Sequence, residues 1–140
     1  STFDCVNYLL NKNSLESLFT ETFRLLFPDG IFTFDVCLEE NSKDSLKKQI
    51  SEGSYSNIKF RQVSSYNRFS KIHKNSFTIF YPDGNIAREI HKQKIYSFDT
   101  YLRLIDSTGY SMLNCYETFS RKKASDKSNR VQFVLQKRDK

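Results

Sequence analysis

Six residues set the tightest limit on what this chain folds into: Ile31-Phe32-Thr33-Phe34-Asp35-Val36 is apolar or strand-favouring almost throughout. A strand with one wet face alternates polar and apolar residues, so this run suits a strand covered on both faces inside a mostly parallel sheet. The residues before it say how the strand is entered. Leu15, Leu18, Phe19, Thr22, Leu25 and Leu26 recur at the three-and-four spacing of one helical face, and Asn13 followed by Glu16 resembles a capping box at the helix start. Phe27-Pro28-Asp29-Gly30 then ends the helix, because proline cannot extend the hydrogen-bond ladder and glycine accepts a turn conformation.

Downstream the pattern weakens before it recovers. Residues 39–57 are polar and read as loop, with at most a short helix around Leu46 to Ile50. Residues 58–96 read as antiparallel strands near 58–65, 68–74, 76–81 and 86–96, with Tyr81-Pro82-Asp83-Gly84-Asn85 as the clearest hairpin turn. Ser97 caps a second helix whose face carries Phe98, Tyr101, Leu102 and Ile105, and Gly109 closes it. Strands at 110–119 and 130–137 complete the chain.

The 140 residues, 38% hydrophobic and 15% aromatic, supply one core and are too few for two. No apolar run approaches the roughly 20 residues of a membrane span, and the start lacks a secretory pattern and an initiator Met, so a cytoplasmic protein whose first residue is a cut is expected. Cys5, Cys37 and Cys115 are odd in number and widely spaced, which fits reduced thiols and neither a disulfide framework nor a metal site. Charge is uneven: residues 1–57 hold five Lys/Arg against nine Asp/Glu, and residues 58–140 hold 17 against seven. Because the cations are dispersed, with clusters at Arg121-Lys122-Lys123 and Lys137-Arg138, a solvated basic face ranks above a nucleic-acid footprint.

Several segments resemble one superfamily in order and spacing. Leu25-Leu26-Phe27-Pro28-Asp29-Gly30 running into Ile31–Val36 resembles the helix, turn and Phe-Asp-Val strand of class I S-adenosylmethionine-dependent methyltransferases, with Phe27 where Lys is common and Asp29 where Gly is common. Phe3-Asp4-Cys5-Val6-Asn7-Tyr8-Leu9 is similar to the run after the fourth strand in one branch of small-molecule methyltransferases, where it lies beside the cofactor. Glu89-Ile90-His91-Lys92-Gln93, Leu104 to Tyr110 and Ser128 to Val134 resemble the end of that branch's inserted strands, its next helix end and its last strand. The resemblance implies an α/β fold, the C-terminal part of a Rossmann-like methyltransferase sheet with an inserted antiparallel β-sheet: 1–140 as one partial domain and 58–96 as the insertion. It lacks the Gly-x-Gly turn that brings backbone close to the cofactor; Gly30, Gly53, Gly84 and Gly109 all fall in predicted turns or loops.

The same resemblance makes Asp4, Asn7 and Tyr8 the candidate wall of an S-adenosylmethionine pocket in the intact protein, with the competing reading that Asp4 and Asn7 merely turn the chain. Asp35, at a strand's carboxyl end, is a candidate substrate residue or a strand terminator. Glu89, His91 and Gln93 alternate and so share one face of a strand, which is either the wall of a substrate cavity or a wet surface. His73 has no comparable company and receives no role. Phe60, Tyr66, Phe69, Phe77, Phe80 and Tyr81 are core formers before they are stacking platforms. No nucleophilic triad, acid pair or metal cluster stands out, and no catalytic residue is singled out. The expected function is methyl transfer to a small or medium-sized acceptor, with this segment on the acceptor side and a missing amino-terminal half, or a second copy, covering an open edge beside Ile31–Val36. The alternative is a non-catalytic α+β module that binds a small ligand.

Overall fold

The computed structural model describes residues 1–138, which form two compact units, Ser1–Asn41 with the chain from Lys94 onward, and Ser42–Gln93. No helix among the described residues is long and apolar enough to cross a membrane.

The first unit is a three-stranded sheet with helices on one face. Its strands β1 (Ile31–Cys37), β6 (Tyr110–Glu117) and β7 (Arg130–Lys137) lie in the order β1-β7-β6, both pairings antiparallel. Alternation along β1 sends Phe32, Phe34 and Val36 to one side, opposite Leu135, Phe133 and Val131 of β7. Helices α1 (Lys12–Leu25) and α3 (Phe98–Thr108) cover that side: the Phe19 ring stands edge-on to Phe32 and Phe34, and Tyr101 packs on Phe34 and Phe133. Leu15, Phe19, Phe34, Val36, Tyr101, Val131, Phe133 and Leu135 are wholly buried there. Deleting such side chains typically destabilises by about 3–5 kcal/mol for an aromatic ring.

Two expectations for β1 change. Helices cover one face, and burial is confined to Phe34–Cys37 while Ile31 and Thr33 are exposed. The neighbour within the chain is also antiparallel rather than parallel. On the opposite edge, however, the Ser1 nitrogen donates to the Thr33 carbonyl (2.9 Å) and the Asp35 N–H donates to the Ser1 carbonyl (3.3 Å). One residue that straddles its neighbour in this way makes the two bonds of a parallel ladder. Both strand pairings of this sheet are antiparallel, and only the two bonds of Ser1 run in parallel sense.

The second unit is a four-stranded antiparallel meander, β2 (Gln49–Tyr55), β3 (Ile58–Asn67), β4 (Ile72–Phe80) and β5 (Ile86–Lys94), entered through a one-turn helix α2 (Glu39–Ser42). Strand β2 was expected as loop; its seven residues are mostly exposed, so no apolar alternation marks it. The expected break between 68–74 and 76–81 lies instead at 68–71, because the Asn67 side chain accepts from the Phe69 and Ser70 N–H groups and makes the turn there. Gly53 is a strand residue, not a loop residue. A Cβ there would sit 2.7 Å from the Phe60 ring, so its lack of a side chain lets Phe60 lie across β2.

The caps also differ at one helix and agree at the other. Asn11, not Asn13, starts α1, its side chain accepting from Ser14 N–H at 2.8 Å. Ser97 caps α3 as expected, and Gly109 ends it at φ 85°, a conformation glycine adopts without strain.

Candidate functional site

Asp4, Asn7, Asp35 and Cys37 meet at the carboxyl end of β1. Phe3 and Asp4 both take positive φ angles (57° and 51°), which turns the chain off the β1 edge into a 3₁₀ turn, Cys5–Tyr8. That turn delivers Asn7 into the interior, where its amide is fully buried: Oδ1 accepts from Cys37 N–H (2.9 Å) and Nδ2 donates to the Cys37 and Lys94 carbonyls (3.1 and 3.0 Å). Asn7 thus clips the end of β1 to the chain leaving β5. Tyr8, next to it, is half exposed.

Asp35 points to the face away from the helices and is 2% exposed. Its carboxylate accepts from Arg130 Nε, with Nη2 of the same guanidinium in ion-pair contact, and from the Asp4 N–H at 3.3 Å. The same guanidinium reaches Asp4 Oδ1 at 3.2 Å. Register explains the meeting: Arg130 lies opposite Cys37, hence diagonal to Asp35 on one face. Arg130 belonged to a recognised strand but had no predicted role; only the β1–β7 register, absent from a linear reading, brings it to two carboxylates.

The cluster also silences a thiol. Burial first, and the nearby Asp4 charge second, push Cys37 up to about 12, and burial pushes Cys115 up to about 11. Cys5 is exposed. At pH 8 a thiol reagent is therefore expected to label one cysteine quickly and the other two only on unfolding, as mass spectrometry of the labelled chain would show. The raised thiols bind protons more tightly folded than unfolded, so they draw stability down as pH rises above the ordinary thiol value toward 11–12.

The second unit separates its chemistry by face. The registers β2–β3 and β3–β4, with the Phe77 ring edge-on to His91 at 5.6 Å, put Gln62, Ser64, Tyr66, His73, Asn75, Phe77, Glu89, His91 and Gln93 on one side. Lys59, Arg61, Lys74, Arg88 and Lys92 all fall on the other. On the first face Gln62 Nε2 donates to Ser64 Oγ (3.1 Å) and to Asn75 Oδ1 (3.2 Å), and Ser64 donates to Asn75 Oδ1 (2.5 Å). His91 Nε2 meets Glu89 Oε2 at 3.2 Å. A carboxylate-held imidazole beside hydrogen-bonding amides is equipped to orient a polar molecule and to take a proton from it. His73, given no role by its sequence neighbours, is buried with Nδ1 2.8 Å from the buried Ser42 hydroxyl, a polar pair inside the second unit.

No family model matches the chain. Over 98% of its length it is 29% identical to a protein of Geobacillus sp. (strain WCH70) named "Putative methyltransferase", 60% of which it covers. Its fold superposes on an S-adenosylmethionine-dependent methyltransferase from Clostridium acetobutylicum ATCC 824 with TM-score 0.85 at 16% identity, over 99% of this chain and 56% of that one. The CcbJ methyltransferase from Streptomyces caelestis gives 0.81 at 12% identity, over 99% and 55%. The chain has the fold of part of these methyltransferase structures. It spans 60% and 56% of the lengths of two curated relatives it matches.

The two bonds from Ser1 to Thr33 and Asp35 lie on the edge of Ile31–Cys37 away from β7. The structure brings Asp4, Asn7 and Asp35 into one cluster with Tyr8 at its margin. Glu89, His91 and Gln93 share a face of β5 in the second unit.

Proposed function

We propose that this chain is the acceptor-side portion of an S-adenosylmethionine-dependent methyltransferase acting on a small or medium-sized polar acceptor. The observation that carries the reading is the end-to-end match, over 98% of this chain, to a protein named as a methyltransferase. When bound, S-adenosylmethionine supplies an electrophilic methyl group. What this chain supplies is position and proton management. The Gln62, Ser64 and Asn75 amide and hydroxyl groups orient the acceptor, and His91, held by Glu89, receives the proton its nucleophile gives up.

The cofactor fit is partial, and its physical reason is local. All of the Asn7 hydrogen-bonding capacity toward the interior is taken by Cys37 and Lys94, so Asn7 supports a cofactor wall rather than touching a ligand. Asp4 is tied to Arg130, which leaves the half-exposed Tyr8 ring as the surface for S-adenosylmethionine. A ring and a braced turn give contact area without an anchor for the ribose or the amino acid end. Calorimetric titration of the 140-residue chain with S-adenosylmethionine is therefore expected to show no binding tighter than about 1 mM, a free energy of about 4 kcal/mol. Micromolar binding by this chain would contradict the division of labour.

A further inference from the structure

The basic cluster Arg121-Lys122-Lys123 has no part in the reading above, and the structure places it against an open strand edge. Strand β6 is the last of its sheet. Over Cys115–Glu117 its outer side is already paired: Glu117 N–H donates to the Lys122 carbonyl (2.9 Å), Ala124 N–H donates to the Cys115 carbonyl (3.1 Å), and Tyr116 sits opposite Lys123 in antiparallel sense. Toward Tyr110 no strand lies beside that edge among the described residues. The register shift between Met112 and Asn114 gives β6 an extra residue there and bends it.

A hollow of about 440 Å³ opens at this step, lined by five successive β6 residues, Met112 to Tyr116, together with Arg121 and Lys123. Successive strand residues point to opposite faces, so a hollow that meets all five runs along the edge and not over one face. Met112 and Leu113 are exposed on it, and neither Arg121 nor Lys123 has an ion-pair partner among the described residues. Unused backbone hydrogen-bonding groups, apolar side chains and two unpaired cations ask for an extended chain with alternating acidic and apolar residues.

We infer that the β6 edge beside Arg121 and Lys123 is a docking site for an extended acidic peptide segment of a partner protein, which adds a strand where the Lys122–Ala124 segment leaves off. Main-chain hydrogen bonds supply the register, Met112 and Leu113 take the apolar side chains, and the two cations select acidic ones. This surface is independent of methyl transfer.

The test is fluorescence polarisation of a labelled octapeptide of alternating valine and glutamate with the 140-residue chain. Micromolar affinity is expected, weakened about tenfold or more by the double substitution R121E/K123E, which changes exposed loop residues. The same peptide methylated on alternate backbone nitrogens should lose about tenfold or more, since it cannot complete the ladder. Absence of binding at about 1 mM peptide overturns the inference. So does equal binding of the N-methylated peptide, an unchanged affinity in R121E/K123E, or displacement by free glutarate at the peptide's own concentration, which would mark a small-anion site instead.

Discussion

Asn7→Ala is expected to be among the most damaging single substitutions in the chain, with a loss on the order of 4 kcal/mol in urea unfolding. The side chain is buried without exposure, so water cannot replace what it provides. Its removal leaves the Cys37 N–H and the Cys37 and Lys94 carbonyls without their side-chain partner, at about 1–3 kcal/mol for a buried group left unsatisfied. Asn7→Asp is expected to be nearly as severe, because a carboxylate keeps the acceptor for Cys37 N–H but turns an oxygen toward two carbonyls. If Asn7→Ala lost less than about 1 kcal/mol, the clip between β1 and the chain after β5 would have no energetic weight.

Arg130→Leu is expected to lose about 3–5 kcal/mol, the range for removing one partner of a buried ion pair. It strips the cation from two carboxylates at once, the buried Asp35 and the partly buried Asp4. Those charges then face each other uncompensated. Paired urea unfolding curves of the variant and the unsubstituted chain would reveal the loss. Arg130→Lys should fall between, because an ammonium keeps the charge but not the planar guanidinium whose Nε donates to Asp35.

Legibility in the sequence followed the strength of local signals. Helix α3 was bounded at both ends by residues whose chemistry is local, the Ser97 hydroxyl and the Gly109 backbone. The Asp83-Gly84 turn was legible for the same reason, with Gly84 at φ 87°. Strand β7 matched its expected span because its buried residues alternate, as Val131, Phe133 and Leu135 show. Strand β2 carried no such signal, because its seven residues are held by pairing with β3 and bury little. The capping box read at Asn13 put the α1 start two residues late, because the Ser14 N–H donates to the Asn11 side chain instead.

The candidate site was legible as residues but not as roles. Asp4, Asn7 and Asp35 were singled out from position, yet Arg130, the common partner of Asp4 and Asp35, lies 95 residues from Asp35, and the Cys37 backbone lies 30 residues from Asn7. Such contacts depend on β1–β7 register and on the left-handed turn at Phe3 and Asp4, neither of which has a sequence period. The segregation of the second unit's strand cations to one face was, by contrast, written in period-two alternation once the strand boundaries were known.

The most direct measurement joins the part of the Geobacillus relative that this chain does not cover to Ser1 and titrates the folded fusion with S-adenosylmethionine by calorimetry. A strand arriving at Ser1 would continue the parallel bonds already made to Thr33 and Asp35. Binding at micromolar strength, about 8 kcal/mol, by the fusion and none by the 140-residue chain is the predicted result. A fusion that folds cooperatively but binds no S-adenosylmethionine would contradict the assignment of this chain to the acceptor side of a methyltransferase.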